Sequence, residues 1–330
     1  MSMSKKPDSK KLAAIKWIIL FAIIFIIPLI GIGFWGTKKN ESYSRFALLE
    51  INQDLEKCGS KTKEKKCVVE GSRGWLFLQE SLINAVVPWT DNTSSIIAFR
   101  DSLQARGLTL IVVPVPDKLQ VESSHYLWFF DEKLIPSSYS RWMQKLQKAG
   151  VPVIDALEQF RAIDDSIPMF EPYESHSTAA SRLLLAKAVA DSLHKARPSI
   201  SAEHHYVIRD TLVHGSGNLF YLQNEKFPSY QVHETKVVTE QGIPFHPSPK
   251  APIIVIGDSN TSQGRAFASD IGSLIAYYTG LETFTISKVG AGNFGPRLFK
   301  GKDAFLQGKT AVVWVFDGRE LYGKIVMPSF

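Results

Sequence analysis

Past residue 40 the chain has no net charge. Its formal charge of +6 sits entirely in residues 1–39, where seven lysines face one acid, Asp8, so residues 40–330 sum to zero. A neutral globular part gives no electrostatic footprint for a phosphate backbone, which excludes nucleic acid as a partner. Cysteine is scarce too. The two present, Cys58 and Cys67, have no further ligands of matching spacing nearby, which excludes a structural zinc site. No internal repeat and no low-complexity tract interrupts the 330 residues. A G-x-S-x-G nucleophile elbow is also missing, so that pattern supports no hydrolase reading.

What is present begins with WIILFAIIFIIPLIGIGFW, residues 17–35, uncharged throughout. As a helix it rises about 28 Å, close to the hydrocarbon thickness of a bilayer. Trp17 and Trp35 fall where interfacial aromatics belong, and Pro28 is tolerable inside a membrane helix. Five lysines precede the run and two follow it, so the N-terminus is expected in the cytoplasm and the remainder outside it. A cleaved signal peptide is the alternative, against which stand the length of the apolar run and the lack of a small-x-small site after it. Cys58 and Cys67 agree with export. In an oxidising compartment they can close a ten-residue loop, worth about 2–3 kcal/mol; two unrelated thiols are the other reading. The expected organisation is a basic tail (1–16), an anchor (17–35), a linker with the cysteine loop (36–67) and a folded domain (68–330).

Within that domain, GSRGWLFLQE reads as a turn into a short strand and 91–106 as a helix stopped by Gly107. LTLIVVPVP is a continuous apolar run of the buried-strand kind. A helix to Gly150, a strand VPVID and a helix over 177–196 follow. Residues 198–250 are polar, rich in His and Pro, and without a sustained period, and are expected to be a loop-rich insertion. Alternation then resumes: strand 252–257, helix 262–279, strand 282–287, a glycine-rich turn 289–296 and strand 310–316. This pattern predicts an α/β fold, a mostly parallel sheet with helices on both faces. Ligands of such sheets gather at the carboxyl ends of the strands.

Ser259 lies at one of those ends, in PIIVIGDSNTSQG. It reads either as an exposed nucleophile at a strand-to-helix elbow, with helix N–H groups near any oxyanion, or as a turn and capping residue. A serine needs a base. Of the eight histidines, His194, His204 and His205 flank charged residues, His214, His233 and His246 lie in the unpatterned stretch, and His125 is in a loop. His176 stands apart in FEPYESHSTAAS, just before a helix, with Glu174 two residues upstream. In extended chain, residues i and i+2 point to one side, so carboxylate and imidazole can be oriented together. A solvated Glu174 in a capping segment is the plainer alternative. Asn293, in VGAGNFGPR, is either an oxyanion donor or a turn residue among glycines. Arg297, Lys118 and Arg265 could meet a hydroxyl-rich or carboxylate-bearing glycan, or be structural.

The single anchor, GSRGWLFL, VVPVPDKLQ, the carboxylate-x-His segment, IGDSN and VWVF-x-x-REL occur in one order over most of residues 68–322. In this the chain resembles the exported SGNH-hydrolase-like domains of polysaccharide O-acetyltransferases, the group that includes the alginate O-acetylation proteins. The resemblance implies Ser259 as the nucleophile that takes an acetyl group, His176 as general base and Glu174 as its orienting partner. It implies Asn293 as an oxyanion donor, with the backbone N–H of Ser259 or Asn260. Family members usually show Asp-x-His-Trp, where this chain has Glu174 and Ser177. The implied activity is O-acetylation of a cell-envelope or secreted polysaccharide, without metal or other cofactor, from the periplasmic side of the inner membrane. A multi-pass membrane acyltransferase is then the expected acetyl donor. Two rivals remain at this point: a carbohydrate acetylesterase using the same residues, and a non-catalytic scaffold for polysaccharide modification or export.

Overall fold

The structure is a computed structural model, and it describes residues 48–58, 67–86, 90–127, 138–164, 166–215, 217–223, 230–290, 292–299, 301–322 and 325. The chain divides at residue 50; of the first unit only 48–50 are described, as helix, and the fold is that of Ile51–Phe330. Among the described residues no helix is long and apolar enough to cross a membrane. The anchor expected at 17–35 lies outside them. Cys58 and Cys67 are joined as a disulfide.

In chain order the elements that build the domain are β1 (Val68–Glu70), β2 (Leu76–Leu78), α1 (Thr93–Gln104), β3 (Thr109–Val115), α2 (Lys118–Val121), α3 (Ser138–Lys148), α4 (Ala156–Arg161) and α5 (Ala179–Ala196). There follow β4 (Tyr206–His214), α6 (Asn218–Gln223), β5 (Gln231–Thr239), β6 (Ile253–Gly257), α7 (Ser259–Ser262), α8 (Ile271–Thr279), β7 (Thr283–Ser287) and β8 (Ala311–Asp317). The central sheet has the order β3-β8-β6-β7, and every pairing in it is parallel. The expected strand at 151–155 is reduced to a single parallel bridge, Val112 to Val153, along the outer edge of β3.

Both faces are covered, and the period of 2 in each strand decides which residue goes where. Ile111, Val113, Ile253, Val255, Ala311 and Val313 face one core with residues of α4, α5 and α8. Their neighbours Leu110, Val112, Ile254, Ile256, Val312 and Trp314 face a second core with residues of α1 and α3. Strands buried on both sides explain why β3, β6 and β8 read as unbroken apolar runs.

Two expectations are corrected. The stretch 198–250 is not only loop: between its irregular ends, β4 and β5 are nine-residue strands paired antiparallel in register from Tyr206–Thr239 to His214–Gln231. Much of β4 is solvent-facing, which removed the apolar alternation that would have marked it. The helix expected at 262–279 is also not continuous. The one-turn α7 ends at Ser262, Gly264 turns the chain in the left-handed region (φ 82°), and α8 starts afresh behind an Asp270 cap to the N–H groups of Gly272 and Ser273. Ser259 therefore begins a separate turn of helix.

Candidate active site

The carboxyl ends of β3, β6 and β8 emerge together. β6 leads through Gly257 and Asp258 into Ser259 at the start of α7. Gly257 is required by crowding: a Cβ there would lie 1.7 Å from the Val315 carbonyl and 2.1 Å from Thr261 Oγ1. The Thr261 hydroxyl itself donates to that carbonyl at 2.9 Å, tying α7 to β8.

Asp258 fixes the elbow with both carboxylate oxygens. Oδ1 accepts from the Asn260 N–H at 2.9 Å, and Oδ2 accepts from the Asp317 N–H at 2.6 Å. Burial, and secondarily the nearby Asp317 carboxylate, push the Asp258 carboxyl up to about 7. The Asp317 carboxylate in turn accepts from Asn260 Nδ2 at 3.2 Å and from Arg319 Nη2 at 2.5 Å. Asn260, expected as an oxyanion donor, has its N–H committed to the Asp258 cap and its amide to Asp317. Ser259 is partly exposed, and of the two N–H groups expected at the oxyanion, its own is the one that remains. Asn293 lies in a 3-10 turn, Gly292–Phe299, and its side chain is outside the described residues.

The other half of the site is the segment before α5. Glu174 is buried, and its Oε1 accepts from His176 Nδ1 at 2.7 Å and from the Ser175 N–H at 2.9 Å. A carboxylate only accepts, so Nδ1 carries a proton, and in the neutral imidazole the lone pair is then on Nε2. Asn218, the first residue of α6, buttresses the pair. Its N–H reaches Glu174 Oε2 at 3.4 Å, its Oδ1 accepts from the Ser175 N–H at 2.9 Å, and its Nδ2 donates to Ser175 Oγ at 2.7 Å. Helix α6 is seated by Leu219 against Leu76 and Leu78 of β2. Sequence reasoning missed Asn218, whose signal is slight: one Asn after GSG, opening an apolar run in the stretch taken for loops.

Arg182, also missed, is fully buried on α5 and joins the two halves. Its guanidinium donates to the Ser177 carbonyl at 2.7 Å, next to His176, and to the Ser269 carbonyl at 3.0 Å in the loop after α7. It also pairs with Glu234 of β5. A small cavity of about 20 Å³ is lined by Glu171, Glu174, Arg182, Tyr230, Glu234 and Gln263 among others, so the turn after Ser259 and the Glu174 segment share a wall. A second, lined by Lys118, Ser175, Asp317 and Arg319, sets the same segment beside the end of β8.

Of the three cations expected to meet a glycan, two are exposed. Arg265 lies six residues beyond Ser259 and donates from Nη2 to Ser287 Oγ at 3.2 Å, at the end of β7. Arg297 is exposed on the 3-10 turn. Lys118 is the correction: it is 4% exposed and its Nζ donates to the main-chain carbonyls of Leu76, Glu171, Pro172 and Glu174. A side chain so enclosed is not a surface ligand for sugar.

Comparison with known proteins agrees with this architecture. Residues 68–314 match the family model described as SGNH hydrolase-like domain, acetyltransferase AlgX. No curated protein sequence matches the chain. Among solved structures, the O-acetyltransferase domain of Pseudomonas putida AlgJ superposes with a TM-score of 0.64 at 16% identity, over 79% of this chain and 94% of that one. Pseudomonas aeruginosa AlgX gives 0.59 at 17% identity, over 78% of this chain and 65% of its own length. At these identities the superpositions speak for the fold.

Proposed function

The chain belongs to the family of the SGNH hydrolase-like domain of the acetyltransferase AlgX, and on that footing we propose that it moves acetyl groups onto a polysaccharide through an acetyl-serine on Ser259. The observation that carries this reading is the Glu174–His176 pair: a buried carboxylate holds the Nδ1–H of an imidazole at 2.7 Å and leaves Nε2 as a base.

In the first half-reaction Ser259 Oγ attacks the acetyl carbonyl carbon while its proton passes to His176. The carbonyl electron pair moves onto oxygen, facing the Ser259 N–H and Asn293 as the proposed donors. Collapse expels the donor's leaving group, which takes the proton from His176. In the second half a sugar hydroxyl gives its proton to His176 and attacks the acetyl-serine, and Ser259 leaves as the alcohol. Nothing is oxidised or reduced. Glu174 holds one imidazole tautomer and offsets its charge in both halves. Arg265 and Arg297 are the cations proposed to face the glycan, whose hydroxyls or carboxylates they suit. Residues 17–35 anchor the domain on the periplasmic side of the inner membrane in this reading, and a multi-pass acyltransferase supplies the acetyl group.

The test incubates the full chain with a chromogenic acetyl ester, with and without an oligosaccharide acceptor, and assays the sugar by mass spectrometry. Acetylated sugar that disappears in Ser259→Ala is the expected result. Free acetate alone under both conditions would make the protein an esterase. Full acetylation by Ser259→Ala would leave it a scaffold.

A further inference from the structure

Lys118 is the first residue of α2, at the carboxyl end of β3 and next to the Asp117 cap. Its ammonium lies 2.8 Å from the Leu76 carbonyl, 2.7 Å from Glu171, 2.8 Å from Pro172 and 3.2 Å from Glu174. It also sits over the rings of Trp75 and Phe77, at 5.0 and 5.2 Å from their centroids. Three of the four carbonyls belong to one turn, 171–174, which ends two residues before His176. That turn is docked on β2 by the Leu76 N–H, which donates to the Pro172 carbonyl at 3.0 Å. Lys118 closes the same seam from beneath.

A charge at this depth opposes its own burial. Desolvation pulls the ammonium down to about 7, against the surrounding carboxylates of Glu122, Glu174, Glu171 and Asp117. The acceptor set favours the charged form, because an ammonium brings three N–H donors to four carbonyls, whereas the free amine would turn a lone pair toward one of them. An apolar side chain would take this donor from all four carbonyls, leaving Pro172 only the Leu76 N–H and Glu171 only the long bond from the Glu174 N–H. Arginine would bring a planar fork to acceptors that converge on a point.

We propose that Lys118 is a positioning residue for the Glu174–His176 pair: it gathers the 171–174 turn onto β2 and so fixes where the Glu174 carboxylate meets the imidazole. It acts through main chain and touches no substrate. The role rests on the reading of His176 as general base. Its second effect is electrostatic, since a positive charge beneath the pair opposes protonation of the imidazole.

The experiment follows chromogenic acetyl-ester turnover by the full chain as wild type, Ser259→Ala, Lys118→Met and Lys118→Arg, from about pH 5 to pH 9, with folding checked by near-ultraviolet circular dichroism. Lys118→Met is expected to lower kcat about 10²-fold with little change in KM, and to move the acidic limb of the profile to higher pH. Lys118→Arg keeps the charge, so the limb stays in place while kcat falls about tenfold. A folded Lys118→Met that loses rate without moving the limb overturns the electrostatic effect and makes the lysine merely structural. If Lys118→Met does not fold, the arginine variant decides: lowered kcat with the limb in place supports the role, and a wild-type kcat overturns it. A wild type no faster than Ser259→Ala overturns the acetyl-serine reading and this role with it. An active wild type matched by both lysine variants overturns this role alone.

Discussion

Ser259 stands at the end of a central strand, and what orients it is next to it in sequence: Gly257 for the close approach to β8, Asp258 for the cap, Thr261 for the tie to Val315. His176 stands on an irregular turn, and beyond its neighbours Glu174 and Arg182, what orients it comes from far along the chain: Lys118 from the end of β3 and Asn218 from the hairpin connection. The serine half thus inherits rigidity from the sheet, where backbone pairing and two cores fix the strand. The histidine half rests on the two-stranded β1–β2 sheet and not on the central one, and it is held by polar contacts converging on main-chain carbonyls and one carboxylate. Loss of a single contact should disturb stability in the first half and catalysis in the second.

The largest expected effect is Ser259→Ala, which should lower acetyl-ester turnover by at least about 10³-fold while thermal unfolding is unchanged. Glu174→Gln comes next. An amide presents both donor and acceptor and no longer enforces the Nδ1–H tautomer, so kcat should fall by about 10²–10⁴-fold. Asn218→Ala removes a buttress and leaves the pair itself, and about tenfold in kcat is expected. A loss equal to that of Glu174→Gln would mean that the hairpin connection takes part in the chemistry directly.

On the serine half the readout is stability. Asp258→Asn can keep the acceptor for the Asn260 N–H but sets an amide N–H₂ against the Asp317 N–H, and denaturant unfolding should show a loss of about 1–3 kcal/mol. Its pH signature is distinct. The Asp258 carboxyl is raised to about 7 in the folded protein, so the native state binds more protons than the unfolded chain. This group's contribution therefore falls as pH rises from about 4 to about 7, and Asp258→Asn should flatten that slope. The smallest effect on turnover is expected from reducing the Cys58–Cys67 disulfide: none at temperatures where the domain stays folded, with a stability loss of about 2–3 kcal/mol.

The same contrast explains what could be read from sequence. The sheet was legible because strands buried on both faces must be apolar throughout, and β3, β6 and β8 are. The Glu174–His176 contact was legible because both partners lie within three residues, with a helix start to mark the place. Asn218, Arg182 and the work of Lys118 were not, since each depends on a long-range approach that leaves no period. Lys118 misled most: a lysine after a strand reads as a surface cation, and only the converging carbonyls show that it is enclosed. The β4–β5 hairpin escaped because solvent faces much of β4.

The order β3-β8-β6-β7 places the last of the described strands at the middle of the sheet, between partners that begin about two hundred and about sixty residues earlier. Until residues 311–317 arrive, β3 and β6 have no common neighbour, and Trp314 and Phe316 are missing from their core. Acquisition of the fold is therefore a late event in the life of the chain, governed by contacts of high sequence separation and correspondingly slow. A chain emerging from N- to C-terminus can pair β6 with β7 early, but it must present the apolar β3 without its β8 partner for most of that time. Over that interval the exposed edge of β3 is a place where copies of the chain can aggregate.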